Sequence, residues 1–216
     1  YTQNKYVYND EPDYPYVWQT KTGKPLSCTY GYIADGLFKD EDDIRNSPSQ
    51  KNLGSTVMPG DIKYRDVNGD GTITTEDQIM LSRYGGIPRI QYGFGLNWTY
   101  KNIDFGVFFN GSAKRTLMID NIAPFCSDVG NQDRNLMKFI ADNYWSEANP
   151  NQEAAYPRLG VNNSQIANNM KPSSFWMRNG NFLKLRDVEV GYTFKNIIPA
   201  TKADLRVFVN GTSLFA

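Results

Sequence analysis

From Ile90 to Asn110 nearly every second residue is apolar, and this alternation limits the possible folds more than any other feature of the chain. Ile90, Tyr92, Phe94, Leu96, Trp98 and Tyr100 interleave with Gln91, Gly93, Gly95, Asn97 and Thr99. A helix would scatter the apolar set around its axis, whereas a strand gathers it on one face. Lys101-Asn102 reads as a two-residue turn. Ile103, Phe105, Val107 and Phe109 follow, set against Asp104, Gly106, Phe108 and Asn110. Such a turn pairs Tyr100 with Ile103, Trp98 with Phe105, Leu96 with Val107 and Phe94 with Phe109, which puts every greasy residue on one face. Each arm has the ~9–11 residues that a tilted strand needs to cross a bilayer. The pattern predicts that the face from Tyr92 to Val107 meets lipid and that Gln91, Asn97, Thr99 and Asp104 face a lumen.

Just upstream, after Pro59-Gly60-Asp61, lies a second ordered pattern. Asp66, Asn68 and Asp70 occupy alternate positions, so their side-chain oxygens can converge on one cation. Gly71 sits sixth, where the chain turns sharply. Thr72 offers a backbone carbonyl, Ile73 an apolar anchor, and Asp77 falls at position twelve. Hard oxygen ligands at this spacing predict an EF-hand- or dockerin-like calcium loop with Asp66, Asn68, Asp70, Thr72 and Asp77 as ligands and a structural role for the metal. Glu is usual at position twelve, and the shorter Asp77 makes bidentate closure harder. The competing reading is an Asx-rich turn without metal, because Asn, Asp and Gly favour turns on their own account.

The 216 residues carry 23 basic and 23 acidic side chains, so no basic field points to nucleic acid. No apolar run is long enough for a membrane helix, but a barrel hides its lipid face in alternation. Histidine is absent, which excludes Ser-His triads and His-bearing zinc sites; no carboxylate pair suggests a glycosidase, and the chain does not read as an enzyme. Aromatics, at 14 %, suit either membrane-interface girdles or a sugar-binding surface. Cys28 and Cys126 either pair or stand as separate small hydrophobes. Tyr1 is not an initiator Met and the chain stops at Ala216 in what reads as a strand, so it reads as part of something longer.

Elsewhere the signals are shorter. Tyr6–Tyr8 predicts a strand, as do Leu26, Cys28, Tyr30 and Tyr32 by alternation, and Asp35-Gly36 a turn. Asp40 to Asp43 predicts a solvated helix start. The stretch from Ser112 to Gly180 reads as a long Asn-rich loop containing one amphipathic helix, Asn135 to Trp145. Leu183 and Leu185 alternate in one phase, but Val188, Val190, Tyr192 and Phe194 in the other, which predicts a β-bulge near Arg186-Asp187. Lys195 to Lys202, with Pro199, reads as a turn before a last strand carrying Leu205, Val207 and Val209.

Taken in order, Tyr32 to Phe38, Pro59-Gly60-Asp61-Ile62, Asp66 to Asp77, Pro88-Arg89, Tyr92 to Asn97, Tyr144-Trp145 with Asn149-Pro150, Phe182 to Val188, Gly191 to Phe194, and Arg206-Val207 with Asn210-Gly211 and Leu214-Phe215 resemble the C-terminal half of SusC/RagA-type TonB-dependent transporters. The likeness runs from about Tyr30 to the end. It implies an all-β fold: part of an antiparallel transmembrane β-barrel of roughly the 22-stranded, plugged kind, with long extracellular loops. It implies that residues 1–216 belong to one barrel domain without its plug and last strands. It further implies an outer-membrane location in a Bacteroidetes-type bacterium. The implied function is import of oligosaccharides or peptides with a SusD-like surface lipoprotein as lid and the TonB complex as energy source. The alternative, from a different class, is a soluble calcium-binding β-sandwich of an adhesin or carbohydrate-binding module, with the greasy faces packed together.

Overall fold

The computed structural model describes residues 11–25, 27–120, 122, 124–125, 135–198 and 202–215. Tyr6–Tyr8, Leu26, Cys126 and Pro199 lie outside the described residues, and with them the expected first strand and the pairing of Cys28. The elements in order are β1 Thr29–Gly31, β2 Ala34–Leu37, α1 Glu41–Arg45, β3 Ile62–Tyr64, β4 Ile79–Ser82, β5 Ile90–Tyr100, β6 Ile103–Ala113, β7 Thr116–Met118, α2 Lys138–Ala141, β8 Met177–Asn179, β9 Phe182–Ile198 and β10 Ala203–Phe215. They form two compact units, Tyr1–Gly85 with Thr116–Arg178, and Gly86–Arg115 with Asn179–Ala216.

The second unit is a four-stranded antiparallel sheet in the order β10-β9-β6-β5. Its hairpin has the register read from the alternation, with Tyr100 opposite Ile103, Trp98 opposite Phe105, Leu96 opposite Val107 and Phe94 opposite Phe109. Lys101 takes the left-handed region (φ +54°) to make the tight connection. The bulge is where the phase change put it: Phe108 pairs with Asp187 and Phe109 with Leu185, which leaves Arg186 as the extra residue. That one residue brings Leu183 and Leu185 onto the same face as Val188, Val190 and Tyr192. The strands flanking the last turn are longer than expected. β9 reaches Ile198 and β10 begins at Ala203, with Asn196 and Lys202 at positive φ and the Asn196 amide donating to Asp204 Oδ1 at 2.9 Å.

Glycines let aromatic rings lie flat on this sheet. A Cβ at Gly93 would come within 2.9 Å of the Phe108 ring, and one at Gly111 within 2.5 Å of Tyr92. The Tyr92 hydroxyl then reaches over β6 to donate to the Phe182 carbonyl at 3.1 Å. The ring restores the contact area that glycine lacks.

The first unit is built differently. The Ser112 to Gly180 stretch, expected as a loop, supplies half of a buried core. Phe125, Ile140, Trp145, Ala154, Ile166 and Trp176 pack with Tyr32, Leu37, Leu53, Ile62, Tyr64 and Ile73. The helix expected over Asn135 to Trp145 is only Lys138–Ala141. Met137 is still extended (ψ 139°), and beyond Asp142 the backbone pairs instead with Tyr156, Trp145 N–H donating to its carbonyl at 3.0 Å. Only Ile140 of this helix is buried, so four residues suffice to place it. Asp35-Gly36 is not a turn but a bulged part of β2, with Gly36 at φ +107°. Only Thr29–Gly31 of the expected second strand is regular, paired with β4. Asp40 does cap α1, accepting from the Asp43 amide at 2.8 Å.

β2 pairs with one edge of β3, and buried polar side chains satisfy the other. Gln50 donates to the Ile62 carbonyl (3.0 Å) and accepts from the Tyr64 amide (2.6 Å). Asn169 accepts from the Ile62 amide (2.9 Å), while Asn168 accepts at its carbonyl from the Tyr64 hydroxyl (2.7 Å). Just before them Asp61, fully buried, meets Arg158 Nε at 2.7 Å and accepts from Asn169 Nδ2 (2.8 Å) and the Met58 amide (2.9 Å). Gly60, at φ +83°, leaves room for the Trp145 ring, which a Cβ there would meet at 2.1 Å. The Pro59-Gly60-Asp61 motif is thus a packing and ion-pair junction.

Burial pushes the Asp61 carboxyl above its ordinary range, against the pull of Arg158, the Met58 amide and Asn169. A raised folded pKa means that the charged form costs stability as pH rises through it. Arg158→Met removes the main counter-charge and should cost about 3–5 kcal/mol near neutral pH. The deficit should shrink as pH falls toward the ordinary carboxylate range, ~4, where Asp61 takes up a proton. Denaturant unfolding followed by the fluorescence of buried Trp145 and Trp176 reads both effects; a deficit that does not change with pH would refute the role given to this pair.

Candidate functional site

Two places gather polar side chains: the loop after β3 and one face of the sheet. In the loop, Asp66 accepts from the amides of Gly69 (2.6 Å) and Gly71 (2.7 Å). Asn68 Oδ1 accepts from the Asp70 amide (3.1 Å), and Asp70 Oδ1 from the Thr72 amide (2.8 Å). Asn68 Nδ2 donates to Asp70 Oδ2 (3.0 Å) and to Glu76 Oε2 (3.3 Å). Glu76 is a neighbour that the spacing alone did not bring in. Asp77 is fully buried, and its oxygens accept from the amides of Val67 (2.8 Å), Asn68 (3.3 Å) and Thr74 (2.8 Å). With Thr74 it forms a capping box over the short turn Thr75–Asp77. Ile73 is buried and pinned through Ser49, which accepts from its amide (2.8 Å) and donates to the Gly71 carbonyl (2.9 Å).

The structure therefore brings Asp66, Asn68 and Asp70 together on one exposed turn, with the Asp77 carboxylate beneath it on the loop's own amides. Among the described residues no three Asp, Glu, His or Cys side chains group as a metal set. Short Asp at position twelve reaches these amides directly, which gives it a structural task whether or not a cation binds. Asp77→Ala should cost about 1–3 kcal/mol by leaving part-buried amides unpaired. Amide exchange at Val67 and Thr74 should quicken, while Asp66→Ala should affect Gly69 and Gly71 instead. Unchanged exchange at Val67 and Thr74 would remove Asp77 from this role.

On the sheet, the small and polar residues share one face. Arg206 on β10 reaches across β9 to Asp104 on β6, with Nε 3.1 Å from Oδ1, and a second bond joins the same pair. It also meets Glu189 at 2.5 Å. The path crosses Gly191, where a Cβ would lie 2.6 Å from both partners, so the bridge depends on that glycine. Beside it is a hollow of about 350 Å³ bordered by Asn97, Thr99, Asp104, Phe108, Asp187 and Glu189. The Arg206–Asp104 pair was not readable in the sequence, since it depends on β9 lying between two strands a hundred residues apart in the chain. The arrangement fixes charge on a surface; it sets no nucleophile beside a base.

No protein-family model matches the chain. Curated relatives include TonB-dependent receptor P26 of Formosa agariphila, 27 % identical over 187 residues, which covers 83 % of this chain and 17 % of that protein. TonB-dependent receptor P3 of the same organism is 23 % identical over 196 residues, 90 % of this chain and 18 % of the relative. The chain thus spans less than a fifth of the length of these relatives. Its fold is similar to that in the RagAB peptide importer, in the open-open state (TM-score 0.55, 17 % identity, 90 % of this chain and 19 % of that one). In the closed-closed state the TM-score is 0.54 and the identity 19 %, over 90 % of this chain and 20 % of that one. Over most of its length the chain is thus similar to a stretch of TonB-dependent receptors, in line with its SusC/RagA resemblance.

Proposed function

We propose that the four-stranded sheet is part of the wall of an outer-membrane β-barrel and that the whole protein imports oligosaccharides or peptides. One observation carries this reading. The apolar face continues in register across all four strands, through Leu96, Val107, Val188 and Gly211, and through Trp98, Phe105, Val190 and Val209. It stays open: Leu96 is 61 %, Trp98 52 % and Val209 76 % exposed. Water makes such a face costly, whereas lipid suits it. Aromatics gather toward its ends, Tyr92 at one, and Trp98 stacked on Tyr100 (5.8 Å) with Tyr192 against Phe194 (4.6 Å) at the other. Such girdles mark the two interfaces of a membrane barrel. The sandwich alternative needs a second sheet over this face, and within the second unit the four strands form a single sheet.

In this reading both compact units belong to one barrel domain, the sheet in the wall and the other unit among the loops. A SusD-like surface lipoprotein would serve as lid and the TonB complex would act through parts of the protein beyond this stretch. The Lys101-Asn102 turn is short, which favours the periplasmic side and puts the Asp66 loop and the Ser112 to Gly180 stretch outside the cell. Leu96→Arg should destabilise the folded protein by ~2–4 kcal/mol if it lies near the bilayer midplane. The check is a folding titration in lipid vesicles, and an unchanged midpoint would count against the wall assignment. An epitope at Asn102 that antibody reaches on intact cells would reverse the orientation.

The calcium loop is a separate part of the proposal. Asp66, Asn68, Asp70, the Thr72 carbonyl and Asp77 supply the oxygen chemistry that calcium takes, and a cation would relieve the repulsion among the acids. An extracellular site of this kind needs only modest affinity, on the order of 10⁻⁴–10⁻³ M. Millimolar calcium should slow proteolysis between Gly60 and Ser82, and chelation should restore it. If neither changes the cleavage, the loop is an Asx-rich turn and nothing more.

A further inference from the structure

Within the first unit, beside α1, lies a groove of about 880 Å³. Phe38, Ile44, Pro48 and Val57 give it an apolar lining, Arg45 and Lys51 give it charge, and no carboxylate lines it. Arg45 is paired with Asp42, whereas Lys51 forms no ion pair among the described residues. Among the described residues the groove therefore holds, in Lys51, a positive charge without an ion-pair partner next to apolar surface.

A second observation comes from the backbone. Thr56 and Val57 line the groove outside any helix or strand, and their N–H and carbonyl groups make no hydrogen bond among the described residues. The chain on either side is held. Ser55 Oγ accepts from the Asn168 amide at 3.0 Å, and the Met58 amide donates to buried Asp61 at 2.9 Å. Backbone groups left open between two anchored neighbours are satisfied by water or by another chain. Extended peptides bind in this way, their main chain pairing for affinity and their alternate side chains entering pockets for specificity.

We propose that this groove binds a short acidic peptide in extended form. The peptide backbone pairs with Thr56 and Val57, one apolar side chain enters the Phe38, Ile44, Pro48 and Val57 hollow, and a carboxylate meets Lys51. An acidic oligosaccharide offers the carboxylate but no backbone amide at strand spacing. This inference stands apart from the membrane reading, since it uses only the first unit.

Calorimetric titration of the protein in detergent with the probe acetyl-Glu-Val-Glu-amide tests it. Binding should weaken about tenfold with Lys51→Glu, as like charges then face each other. It should also weaken about tenfold when the valine nitrogen of the probe is methylated, which removes one hydrogen bond and leaves the protein untouched. Acetyl-Lys-Val-Lys-amide and trigalacturonate should both bind more weakly than the acidic peptide. The proposal is overturned if the acidic probe does not bind at millimolar concentration, if methylation or Lys51→Glu leaves its affinity unchanged, or if trigalacturonate binds as tightly.

Discussion

Pairing of the backbone between β5 and β6 is the constraint from which the sheet follows. Each amide and carbonyl there must find a partner, and in the observed register the partner of Leu96 is Val107 and that of Trp98 is Phe105. Side chains alternate with period two, so a slip of one residue would turn the greasy face of β5 away from that of β6. β9 inherits the same register through Ile103–Tyr192 and Phe105–Val190, and β10 inherits it from β9. Arg186 shows how strict the demand is. The strand takes in an extra residue rather than leave Leu183 and Leu185 on the polar face.

The two faces obey different rules. On the apolar face, rings and aliphatic chains pack from strand to strand, as in Phe94 on Phe109 at 5.2 Å. Glycines allow close approach on both faces: Tyr92 lies over Gly111 on the apolar one, while on the polar one Phe108 lies over Gly93 and the Arg206–Asp104 bridge passes over Gly191. A larger residue at any of these places would lift the ring or the ion pair off the sheet. These choices suit a wall with lipid on one side and a polar lumen on the other.

The first unit has no long strands to pair, so side-chain amides stand in for them. Gln50, Asn168 and Asn169 satisfy the backbone of β3, and Asp61 with Arg158 ties the Pro59-Gly60 corner to a residue almost a hundred positions later. An unpaired carboxylate in this interior would be costly, so the partners depend on one another. The groove next to Thr56 and Val57 is open because its flanks are held by this same network.

The hairpin, its register, the bulge and the helix start at Asp40 to Asp43 were legible in the sequence because each depends on residues a few positions apart, whose period and turn chemistry are local. The resemblance that named the transporter class rested on short motifs in order. Other features were not legible. Alternation shows that β6 needs a neighbour but cannot say that it is β9, and so it hid the Arg206–Asp104 bridge. The Asn-rich stretch looked like a loop because its core residues, Phe125, Ile140, Trp145 and Trp176, are spaced without period. By itself the sequence determined which residues of the long strands share a face and that the chain turns at Lys101-Asn102. Only the tertiary structure decided which distant segments meet, because a buried amide or carboxylate accepts any partner that satisfies it, and the choice is made when the whole unit packs.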